Sequence, residues 1–257
     1  PNPNRTFIGA FATKIPGAVR RGDSLMSHYI TIITSLPYLA PLSANKALPI
    51  SRIGLEQRLA ALSEADRQQL AVMESLFSLS VETLKTNQQW ADFWRQQCQS
   101  IESDVLKDFF QRMGEALALL SVVRERLLGY QPLTLVYGRY QPQVTKRSGD
   151  VLFGLEAQWP EVAAVAQALA EKKAKKASRL FDQWLWNQLI LCEQSEMFRY
   201  ENIVSYVLRW RLVERAKVSK LGVMKDDESK SSLFLSMRDS VINRANSSLT
   251  PFMQEAL

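Results

Sequence analysis

The sequence predicts a mainly α protein: a multi-helix body with one short N-terminal strand or hairpin and an irregular central connector. Three observations predict it. Apolar residues recur in steps of three, four and seven from Trp90 onward, the signature of amphipathic helices. One β-branched run, Tyr29-Ile-Thr-Ile-Ile-Thr34, stands out as strand-like, and residues 129–160 gather turn-forming residues. The chain has 257 residues, 46% hydrophobic and 23% charged, proportions that fit a folded globular protein and exclude disordered or collagen-like classes.

Residues 1–27 form the first section. Arg5, Lys14, Arg20 and Arg21 are interleaved with Phe7, Ile8, Phe11 and Ile15, a pattern expected of a weakly ordered extension with some flavour of a transit peptide and no secretory core. From residue 28 to 257 a single helical domain is expected, with two lobes (28–128 and 160–257) as a possible division about the connector 129–159. Residues 24–45 carry no Lys, Arg, Asp or Glu. Pro37, Pro41 and the Ser, Thr and Asn residues among them nevertheless argue against a membrane span.

Tyr29–Thr34, bounded by Pro37 and Pro41, reads as a strand leading into a turn. Ser51 is placed to cap a helix carrying Leu55, Leu59 and Leu62, and Ser63 to cap a second carrying Leu70, Met73, Leu76 and Phe77. From Asn87 the stripe runs through Trp90, Trp94, Ile101, Val105, Phe109, Met113, Leu117, Leu120 and Val123. It predicts one long helix, or two joined near Gly114. Between 129 and 160 fall Tyr130, Tyr137, Tyr140, Phe153 and Trp159 with three prolines and four glycines, an irregular connector with a short strand at Leu133–Tyr137. Pro160 suits the first turn of the next helix. Leu180, Phe181, Trp184, Leu185, Ile190, Leu191 and Cys192 spread round a helical wheel, so their helix is expected to be buried on two sides. Arg199–Leu221, closed by Gly222, and Ser231–Ala245 complete the series.

Little in the chain speaks for catalysis. Cys98, Cys192 and a lone His28 cannot assemble a His/Cys zinc site, although counting leaves a carboxylate-only site open. The cysteines read as structural thiols of a reducing compartment. No Walker loop, dinucleotide fingerprint or nucleophile elbow is present, a Ser-His-Asp triad would have to use His28, and Glu193 with Glu196 is a weak carboxylate pair. No cofactor is predicted, and Trp184, Trp186 and Trp210 are expected in the core.

The candidate interface is charged. Net charge is +6, and residues 129–180 hold eight basic and four acidic side chains. Lys172, Lys173, Lys175 and Lys176, with Arg179, read as a solvated helix end that complements the helix dipole, or as a surface for phosphates. Glu214 falls near the middle of the apolar face made by Ile203, Val207, Trp210, Val218 and Leu221, so an ion pair with Arg211 or contact with a polar partner is expected.

Several segments bear a family likeness. Tyr29-Ile-Thr-Ile-Ile-Thr-Ser-Leu-Pro37, Leu48-Pro-Ile-Ser51, Phe181-Asp-Gln-Trp-Leu-Trp186, Phe198-Arg-Tyr-Glu-Asn-Ile203 and Tyr206-Val-Leu-Arg-Trp-Arg-Leu-Val-Glu-Arg215 follow one another in order. Together they resemble the bacterial V-type ATP synthase C-subunit-like family, over about residues 28–245; Trp90–Trp94 followed by Ser100–Asp104 departs from its middle helix. The resemblance implies a non-catalytic stalk subunit of a V/A-type rotary ATPase. Its expected partners are the central shaft and membrane ring, on the cytoplasmic face of the membrane and with no membrane span of its own. A helical adaptor that binds nucleic acid or another anionic partner through the basic segment is the alternative from the residues alone.

Overall fold

The computed structural model describes residues 21–44, 47–78, 86–194 and 197–220, and side chains between 28 and 217. Nine α-helices account for most of them: α1 (Arg21–Ser35), α2 (Arg52–Leu59), α3 (Glu64–Ser78), α4 (Asn87–Gln99), α5 (Asp104–Leu127), α6 (Gln141–Lys146), α7 (Pro160–Ala170), α8 (Ala174–Gln194) and α9 (Tyr200–Lys220). A 3-10 turn lies at Leu42–Ala44. No strand occurs among the described residues. The expected helix Ser231–Ala245 and the stop at Gly222 lie outside them, and the boundary at residue 27 falls inside α1.

Helix neighbours close into a ring. α5 packs on α4, α7 and α8; α8 packs on α9; α9 packs on α1 and α3; α3 returns to α4. Buried apolar side chains from all of these, and from the connector, form one cluster at the centre. Fourteen residues of α5 are buried, among them Phe109, Phe110, Met113, Leu117 and Leu120, so this helix is the spine of the body.

The expected strand at Tyr29–Thr34 is the second half of α1. Tyr29, Ile32, Ile33 and Leu36 fall at helical spacing and pack into the core. The Thr34 hydroxyl donates to the Ile30 carbonyl at 2.8 Å and the Ser35 hydroxyl to Ile32 at 2.6 Å, satisfying β-branched and polar residues inside a helix. Packing against α9 overrides the strand propensity.

Ser51 accepts from the Gly54 amide at 3.1 Å and Ser63 from Asp66 at 3.1 Å, so both expected caps are formed. The long stripe from Asn87 breaks at Ser100–Ser103, where Ser103 caps α5, and Gly114 lies within unbroken helix. Gly114 has another role: it admits the Trp94 ring, whose indole N–H donates to the Phe110 carbonyl at 3.1 Å.

The connector is irregular, as expected, but it is not a surface strap. Leu133, Leu135, Tyr137, Tyr140, Val144, Leu152, Phe153, Leu155 and Trp159 are all buried. The expected strand at Leu133–Tyr137 does not form, because the Gln141 carboxamide takes the backbone groups that a neighbouring strand would bond. Its Oε1 accepts from the Leu135 amide and its Nε2 donates to the Leu133 carbonyl. Arg126 on α5 gathers the carbonyls of Ser148, Asp150 and Val151 and lies over the Phe153 ring.

α7 and α8 form a helical hairpin. Lys172 closes α7 with φ +58°, its amide bonded to the Leu169 carbonyl at 2.9 Å and that of Lys173 to Ala168 at 2.9 Å, the hydrogen-bond pattern of a Schellman turn. A left-handed lysine is strained where glycine is not. Lys172→Gly is therefore expected to raise stability by about 1 kcal/mol, read as a higher urea midpoint at an unchanged slope.

Neither cysteine is joined in a disulfide, and both are buried. Burial pushes the Cys98 and Cys192 thiols up to about 11, a hydrogen bond from Tyr137 opposing it at Cys98. At pH 8 iodoacetamide is expected to label neither in the folded protein and both in guanidinium. Mass spectrometry that found rapid native labelling would contradict this packing.

Candidate functional site

The described surface is recessed where the chain leaving α1 meets the corner between α8 and α9. A cavity of about 370 Å³ opens there, lined on one wall by Ile33, Leu36, Pro37 and Tyr38 and on the other by Met197, Phe198, Asn202 and Tyr206. Tyr38 is 80% exposed and Met197 83% exposed, so the groove has an apolar rim. Single exposed apolar residues are ordinary; several round one recess mark a place for contact.

The walls are fixed by hydrogen bonds from α9. Tyr206 donates its hydroxyl to the Pro37 carbonyl at 2.9 Å, and Trp210 its indole N–H to the Ile50 carbonyl at 3.1 Å. These two bonds hold the irregular segment after α1 against the middle of α9. Across the corner, the Asn202 carboxamide accepts from the Arg199 amide at 2.8 Å and donates to the Glu193 carbonyl at 3.1 Å. Phe198 stands at φ +60°, a conformation costly for an aromatic residue, on the rim of this groove.

The floor is charged but internally matched. Glu193 on α8 pairs with Arg209 on α9, and the Arg209 guanidinium lies 5.2 Å from the centre of the Trp186 ring. Burial lowers the Arg209 pKa, with the Glu193 carboxylate opposing. A buried, paired ion holds two helices in register and supplies neither a nucleophile nor a free base. Among the described residues no group of three His, Cys, Asp or Glu side chains is placed to hold a metal ion.

The residues expected to form an interface fall in two places. Lys172 and Lys173 are in the α7–α8 turn, Lys175 and Lys176 in the first turn of α8, and all four are exposed. The expected complement to a helix C-terminus therefore applies to only half of them: Lys175 and Lys176 sit at the positive end of α8, which disfavours cations. Arg211 and Glu214 lie one turn apart on α9, bonded at 3.2 Å, and Arg211 also reaches Glu74 on α3 at 2.8 Å. The predicted intramolecular pairing of Glu214 is present. Trp184, Trp186 and Trp210 are buried. His28 is exposed and bonded to the Ala61 carbonyl, and of the weak carboxylate pair only Glu193 falls within the described residues.

The groove residues Tyr38, Asn202, Tyr206 and Arg209 are not distinguishable as a site in the sequence. Among the described residues no helix is long and apolar enough to cross a membrane. Neither a family description, nor a curated protein, nor a solved structure matches this chain.

Proposed function

We propose that this chain is a non-catalytic coupling subunit of a V/A-type rotary ATPase, seated on the cytoplasmic side between the central shaft and the membrane ring. One observation carries the reading: the separated segments that bear the family likeness pack on one another. Ser35-Leu-Pro37 receives the Tyr206 hydroxyl, Leu48–Ser51 receives the Trp210 indole, and Asp182 of the Phe181–Trp186 segment pairs with Arg215. The segments that bear the likeness thus belong to one structural unit. A ring of helices bonded across its members also suits a part that must resist twisting.

Affinity purification of the tagged full-length chain from its native host tests the proposal. The catalytic and rotor subunits are expected to copurify, and Tyr38→Ser with Met197→Ser is expected to lower their recovery if the groove is the contact. Recovery of the chain without any of those subunits overturns the reading.

A further inference from the structure

We infer that the tip of the α7–α8 hairpin is a docking surface for an anionic lipid membrane. Lys172, Lys173, Lys175, Lys176 and Arg179 are all exposed, with Glu171 the acid among them. Lys173 bonds the Glu171 carboxylate at 2.9 Å, and this bond, with one donated by the Gln167 carboxamide, lowers the Glu171 pKa. The other cations of the tip make no ion pair to a described residue. From 171 to 179 the sequence carries five positive charges and one negative, a density that attracts a polyanion within a Debye length.

The form of the patch selects among polyanions. It is a hairpin tip and not a groove. Lys172 and Lys173 stand in the turn, off the helix that carries Lys175, Lys176 and Arg179, so the five charges do not form the single stripe that a helix presents to a DNA groove. No aromatic side chain stands among them to stack an unpaired base. Four of the five cations are lysines, compact charges on flexible stems, without the forks of arginines that grip one phosphate in fixed geometry. Diffuse charge on an exposed tip fits a laterally mobile layer of anionic headgroups, a surface toward which clusters of Lys and Arg are drawn.

This inference does not depend on the rotary-ATPase reading, and its test uses no other subunit. The full chain is sedimented with vesicles of phosphatidylcholine and phosphatidylglycerol in about equal parts, with pure phosphatidylcholine vesicles, and with duplex and single-stranded nucleic acid. Binding to the anionic vesicles alone is expected at low salt, with loss near about 0.5 M salt. Replacing Lys172, Lys173, Lys175 and Lys176 with Gln is expected to weaken partitioning by about a hundredfold or more, and replacing them with Arg to preserve it. Unchanged circular dichroism certifies the fold of both variants. Failure to bind anionic vesicles, equal binding to neutral ones, undiminished binding by the Gln variant, or retention by nucleic acid in place of vesicles each overturns the inference.

Discussion

Gly114→Ala is expected to destabilise the protein by about 3 kcal/mol, the upper part of the range for overpacking a filled core. A β-carbon at Gly114 would stand 2.3 Å from the Trp94 indole nitrogen, 2.8 Å from its Cδ1 and 2.9 Å from a ring carbon of Tyr137. None of these can give way cheaply. Trp94 is fully buried and its N–H is bonded to Phe110, while Tyr137 is wedged edge-on against Trp90. Relief requires α4 to move away from α5, which opens the core on both sides. Helix propensity alone favours the substitution by about 1 kcal/mol, so the sign of the effect decides between local preference and tertiary packing. Urea unfolding monitored by tryptophan fluorescence makes the measurement. Stability equal to or above that of the parent chain would show that α4 and α5 do not approach this closely. Trp94→Phe in the Gly114→Ala background is expected to recover part of the loss, a coupling that two independent sites would not display.

Arg215→Met is expected to cost about 3 kcal/mol at pH 7, near the lower bound for breaking a buried ion pair. Asp182 on α8 bonds Arg215 on α9 at 2.6 Å, with side-chain exposures of 15% and 21%. Burial raises the Asp182 pKa, and Arg215 opposes that shift. With the arginine gone, only the raising influence is left. A carboxyl whose folded pKa exceeds its unfolded value near 3.9 favours folding below that value, and the contribution is lost as pH rises through the folded pKa. The Arg215→Met protein should therefore recover stability relative to the parent as the solution is acidified from neutrality, through the window between those two values. Asp182→Leu combined with Arg215→Met removes both charges and is expected to be more stable than Arg215→Met alone. A double variant weaker than the single one would mean that Asp182 has another cation beside it.

The second experiment bears on the helices that build the groove. α9 carries Tyr206, Arg209, Trp210 and Arg215, and it reaches Pro37, Glu193, Ile50 and Asp182 respectively. Each of these contacts draws another part of the chain onto the same helix, so α9 acts as the strut against which the others are aligned. A perturbation at Asp182–Arg215 is thus expected to loosen the groove as well as the fold, and a change confined to the rim, such as Tyr38→Ser, to leave stability within about 0.5 kcal/mol.

The local grammar of the chain determined most of the helices by itself. Period-3.6 stripes, Ser51 and Ser63 as caps, Pro160 in a first turn and the apolar wheel around Trp184 are short-range properties, and short-range properties are written in consecutive residues. The need for Glu214 to be paired was legible in the same way, because Arg211 is one turn away. Tertiary structure alone decided what depends on distant partners. Tyr29–Thr34 looks like a strand until α9 offers its Tyr29, Ile32, Ile33 and Leu36 face a helical surface to cover. Leu133–Tyr137 looks like a strand until Gln141 takes its backbone bonds. Gly114 looks like a helix break until Trp94 needs the space that a side chain would fill. The groove belongs with these: Pro37 and Tyr206 are 169 residues apart, and no pattern in the chain marks two positions for contact before the ring of helices closes.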